Sequence, residues 1–117
     1  MKYKLTLTKE QAQIVSLACE FYARIKMGQF GEIPYHLMTN QPLADNWCER
    51  RDAAEMYLLQ ARKMIYPELG GIGHSYGIGK FADADMAFDV HQVIRHKFGD
   101  KREPFSYYEL PICEEVD

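Results

Sequence analysis

The chain has 117 residues, 47% apolar and 26% charged, which describes one soluble domain able to bury about two thirds of the surface of its unfolded chain without a disulfide or structural metal. Seventeen acidic against fourteen basic side chains give a formal charge of −3, which argues against a protein that coats a nucleic acid polymer or an anionic membrane and leaves room for a local basic pocket. Cys19, Cys48 and Cys113 form no C-x-x-C pair, so a reduced, cytoplasmic setting with packed thiols is expected.

Lys2 to Thr8 alternates polar with apolar residues and lacks the continuous apolar core of a signal peptide. No window reaches the roughly 18 apolar residues of a membrane span. The alternation predicts a short strand. Thr8 and Gln11 then form a capping box that starts a helix ending near Gly28. Its apolar rows, Ala12, Val15, Cys19 and Tyr22 beside Ile14, Ala18, Phe21 and Ile25, predict a wide buried face. Pro34 breaks the segment from Gln29 to Met38 into a brief second helix. Asp45 or Asn46 caps a third, running to about Tyr66, with Trp47, Ala54, Leu58, Ala61 and Ile65 as its stripe and Arg50, Arg51, Glu55 and Arg62 largely off it. Pro67 stops it.

Five of the eight glycines fall between Gly70 and Gly79, a density that predicts a loop because each glycine gives up the most backbone freedom on ordering. Asp83 or Asp85 caps a fourth helix through Phe98, with Ala87, Val90, Ile94 and Phe98 on one face and Gly99 as its stop. The aromatics from Phe105 to Leu110 suit a strand, whose natural partner is the N-terminal one. The expected fold is therefore α+β: about four helices packed with a small antiparallel sheet from the chain ends, one compact domain over residues 1–112, and an acidic tail over 113–117.

Several motif matches fail on context. Gly73-His74-Ser75-Tyr76-Gly77 spells the nucleophile elbow, but no strand precedes it and no βαβ series surrounds it. Gly79-Lys80 is followed by Phe81 where a phosphate loop needs Ser or Thr, and Gly71-Ile72-Gly73 lacks the third glycine of a dinucleotide turn at the required spacing. His91 and His96, five apart on a helix, point in different directions, so no metal site is expected. What survives is a pocket from the glycine-rich loop, the helix carrying His91 and Arg95, and Arg51. Glycines admit an anion close to backbone amides, Tyr76 can stack on a base, and arginine forks onto phosphate. The bland alternative is a mobile loop with solvated arginines.

The segments Phe21 to Phe30, Ser75-Tyr76-Gly77-Ile78 and Phe88 to Arg95, with Phe105 to Pro111 as a weaker tail, resemble a widespread group of small bacteriophage-encoded proteins. Within that group the chain is similar to the first class of Thoeris anti-defence proteins, which sequester cyclic ADP-ribose-type signals without degrading them. The resemblance implies an aromatic on adenine and arginines on the pyrophosphate, here Tyr76, Arg95, Arg51 and Arg24, with Ser75 and His91 beside them. It implies no catalytic residue, metal or cofactor.

A molecule that outcompetes a signalling receptor needs nanomolar affinity, about −12 kcal/mol. One small domain seldom encloses enough ligand for that, so a homodimer or higher homo-oligomer is expected. The alternatives are a small hydrolase or phosphodiesterase acting on a nucleotide signal through His91, His74 or Asp89, and a protein–protein inhibitor or structural phage protein without a small-molecule site.

Overall fold

Thr8 opens the first helix as its sequence requires. In the computed structural model, which describes residues 1–117, the Thr8 hydroxyl accepts from the Gln11 amide at 3.1 Å and the Gln11 side chain accepts from the Thr8 amide at 2.9 Å. These two bonds satisfy amides that a helix start otherwise leaves orphaned. Helix α1 spans Lys9–Lys26, α2 Glu32–Met38, α3 Trp47–Ile65 and α4 Ala82–Lys97. Gly28 follows α1 with a φ of 92° and Gly99 follows α4 with a φ of 109°, the left-handed backbone that favours glycine at a helix stop.

The structure is all-helical and contains no strand, which overturns the α+β expectation of a sheet from the chain ends. The two ends are linked by side chains, Lys2 Nζ to Glu109 at 2.5 Å, rather than by a ladder of backbone bonds. Polar groups on α4 take the backbone that a strand partner would have used. The Gln92 amide group donates to the Phe105 carbonyl at 2.8 Å and accepts from the Phe105 amide at 2.9 Å. Ser106 donates to Asp89, and the Tyr108 amide donates to Ser106. Tyr3 and Leu5 remain exposed and only Leu7 is half-buried, so the N-terminal alternation has little covered face, without which a two-stranded ribbon is marginal.

Two compact units divide the chain, one formed by Met1–Ala23 with Phe81–Asp117 and the other by Arg24–Lys80. In the first unit Ala23, Ala84 and Ile94 are buried together with five polar residues, Ser16, Asp85, Asp89, His91 and Gln92. The buried face of α4 is thus rotated from the expected Ala87, Val90, Ile94 and Phe98 row toward its polar residues, because those hold the C-terminal segment and α1. Asp83 and Asp85 sit in the first turn of α4 while Phe81 occupies the cap position, so the acids serve the positive end of the helix dipole instead of capping it. Ile14 and Leu17 stand exposed on α1, which narrows the wide face expected there.

The second unit is organised around Arg62, buried to 6% exposure although its sequence position reads as off the stripe. Its guanidinium donates to the carbonyls of Gly70 at 2.6 Å and Gly71 at 2.7 Å, to that of His74, and at 3.5 Å to that of Gly28. Tyr66 adds a bond from its hydroxyl to the Lys26 carbonyl, and its ring meets Tyr76 edge-on at 5.3 Å. The Trp47 indole donates to the Met38 carbonyl at 3.3 Å.

Candidate functional site

Within the first unit, α1 and α4 meet through a polar clasp of two side-chain pairs spaced four apart on their own helices. The His91 Nδ1 lies 2.9 Å from the Ser16 hydroxyl and 3.1 Å from the Ser16 carbonyl, and the hydroxyl also reaches the His91 carbonyl at 3.2 Å. On the other edge of the ring, His91 Nε2 lies 3.1 Å from a Glu20 carboxylate oxygen and 3.4 Å from Arg95 Nη1. The tautomer sets the roles of the ring nitrogens: a proton on Nε2 donates to Glu20 and leaves Nδ1 to accept from the Ser16 hydroxyl, whereas a proton on Nδ1 donates to the Ser16 carbonyl. The Phe88 ring packs against the imidazole at 5.4 Å.

This clasp forms one wall of a groove of about 360 Å³ lined by Gln13, Ser16, His91, Ile94, Arg95, Phe98 and Asp100. That volume lies at the low end of the roughly 300–1,000 Å³ of small-molecule sites. Phe98 is 42% exposed at the groove and carries the Lys9 ammonium 5.9 Å from its ring centroid. The groove therefore combines a guanidinium, an imidazole, a nearby ammonium and an aromatic face, the set that holds a phosphate and stacks a base. Asp100 belongs to it as well. Two bonds from the Arg102 side chain, at 2.7 and 3.0 Å, hold the Asp100 carboxyl well below the usual carboxylate range, and Arg95 adds a weaker contact at 3.5 Å.

The site residues read from the sequence divide between the units. His91 and Arg95 come together on the groove wall. Tyr76, Ser75, Arg51 and Arg24 belong to the second unit, where Tyr76, Arg51 and Arg24 have other engagements. The Tyr76 hydroxyl donates to Glu68, its amide donates to the Met27 carbonyl at 2.8 Å, and Lys80 covers its ring at 5.1 Å. Ser75 is exposed on the loop. Arg51 lies over the Trp47 ring at 5.3 Å and contacts Asp52 at 3.2 Å. Arg24 donates to Gln29 at 2.9 Å and faces Glu32 at 4.0 Å. The glycine-rich loop turns the carbonyls of Gly70, Gly71 and His74 toward Arg62, so its inner side is built to solvate a cation.

Sequence reasoning missed Ser16, Glu20, Gln13 and Phe98. The available signal was Ser16 itself, a hydroxyl four residues after Ala12 and seven before Ala23 on a row of small residues, where burial obliges it to find a polar partner on another element. Burial pushes the Cys19 thiol up, which suits a packed group better than a nucleophile. No three His, Cys, Asp or Glu side chains converge to hold a metal ion, and no helix is long and apolar enough to cross a membrane. Compared with known proteins, the chain matches no family model, no curated protein and no solved structure.

Proposed function

We propose that the protein binds and sequesters a small nucleotide-type anion, of the cyclic ADP-ribose or cyclic nucleotide class, without cleaving it, and that it acts as a phage immune-evasion protein in the host cytosol. The observation that carries this reading is the shared groove wall of Arg95 and His91 facing Phe98. Arg95 takes the phosphate, Phe98 stacks the base and Gln13 supplies a neutral hydrogen-bonding edge, while His91 stays bonded to Ser16 and Glu20. The three cysteines are free, in keeping with a reducing compartment, and the resemblance to phage anti-defence proteins points the same way. Charge-assisted bonds at roughly 1.5–3 kcal/mol each and one stacked ring at roughly 1–3 kcal/mol fall short of a nanomolar complex, so a homo-oligomer with further contacts is part of the proposal.

A second reading rests on the same clasp. Ser16, His91 and Glu20 stand in hydrogen-bond sequence at 2.9 and 3.1 Å, the order in which a hydrolase arranges nucleophile, base and orienting acid. One experiment separates the two. Incubation with cyclic ADP-ribose, followed by heat denaturation and mass analysis of the supernatant, returns intact ligand and a raised melting temperature for a sequestering protein. Product accumulating with time replaces the proposal with the hydrolase. An unchanged melting temperature and no product refute both.

A further inference from the structure

On the side of α3 away from buried Arg62, large apolar side chains are left in water. Met56 is 52% exposed, Tyr57 78% and Met64 85%, with Ala53 and Gln60 also exposed among them. Three large apolar side chains grouped on one face of a helix form a surface of the kind that marks an interaction site.

We infer that this face of α3 pairs antiparallel with α3 of a second copy of the chain, across a two-fold axis at Met56. The charge pattern selects that occupant and that direction. Glu49, Met56 and Lys63 are all exposed and recur every seven residues along one line of the helix, the spacing of a coiled-coil seam. A two-fold axis at Met56 sets Glu49 of each copy opposite Lys63 of the other and brings the two Met56 side chains together at the centre. A parallel pair would instead oppose Glu49 to Glu49 and Lys63 to Lys63. Antiparallel pairing also opposes the two helix dipoles, which favours the arrangement. The 19 residues of α3 give a seam about 28 Å long, and Tyr57, Ala53, Gln60 and Met64 lie along one side of it.

Sedimentation of the full chain tests the inference. Wild type at micromolar concentration sediments at twice 13.6 kDa. Met56→Glu places two carboxylates at the axis and weakens self-association at least about tenfold, with helical circular dichroism unchanged because the site is exposed. Lys63→Glu weakens it about fivefold, and adding Glu49→Lys to Lys63→Glu restores the wild-type constant, since each charge then meets its opposite again. A chain that sediments as a monomer overturns the inference. So does a dimer that withstands Met56→Glu, or a charge-swapped pair that fails to recover.

Discussion

Replacing Arg62 with Met keeps the aliphatic stem of the side chain and removes the group that ties the second unit together. The guanidinium makes bonds at 2.6 and 2.7 Å to Gly70 and Gly71, a third to His74, and a long one at 3.5 Å to Gly28. Three charge-assisted bonds at roughly 1.5–3 kcal/mol each set an upper bound of about 9 kcal/mol. Two effects reduce it. Gly70, Gly71 and His74 are exposed residues, so their carbonyls recover water when the loop lifts, and Met is spared the desolvation of a buried charge. The expected net loss is about 2–4 kcal/mol, read from urea denaturation as a lower midpoint. Amide exchange should accelerate at His74 and Tyr76, whose amides bond to the Gly71 and Met27 carbonyls. Arg62→Lys should recover only part of the loss, because one ammonium cannot span carbonyls that a planar fork reaches. A loss under about 1 kcal/mol with unchanged exchange would refute the view that Arg62 organises this unit.

Gly28→Ala forces a side chain onto a φ of 92° and places its Cβ 2.7 Å from a Leu69 methyl; the methyl can swing aside, so the expected cost is the backbone strain of about 1–2 kcal/mol, measured by thermal denaturation. Thr8→Ala removes half of the capping box and should cost about 1 kcal/mol, with faster amide exchange confined to the first turn of α1. Burial raises the Asp89 carboxyl above its usual value of 3.8, with Ser106 opposing and Asp85 adding to the shift. The folded state therefore binds the Asp89 proton more tightly than the unfolded chain does, and this group's contribution to stability rises as pH falls through the raised pKa toward 3.8. Asp89→Asn, which still accepts from Ser106, should raise the melting temperature at pH 7 and lose that advantage near pH 3; a lower melting temperature at pH 7 would contradict the assigned shift.

The helices were legible because their signals are local. Thr8 with Gln11, Gly28, Pro34 and Gly99 act through bonds or dihedrals within one turn, and the structure uses each where the spacing places it. The sheet was misread because alternation in Lys2 to Thr8 states only which faces a strand would have, whereas pairing depends on what competes for its backbone. Gln92 and Asp89 on α4 win that competition for the C-terminal segment, and nothing near Phe105 in the sequence announces them. The candidate site was half legible. Arg95 and His91 share a helix face four residues apart, which the sequence shows, but Ser16 and Glu20 reach His91 across 75 and 71 positions of chain, a pairing set by how α1 and α4 pack. The glycine-rich loop was legible as a loop and not in its polarity, because Arg62 decides which way its carbonyls turn.

The groove between α1 and α4 is tested most directly by calorimetric titration of cyclic ADP-ribose into wild type and into Arg95→Met, with circular dichroism to verify that both are folded. Saturable binding by wild type that weakens about tenfold to hundredfold in the variant, and weakens with added salt, is the expected result. Equal binding by both proteins, or none by wild type, would contradict it.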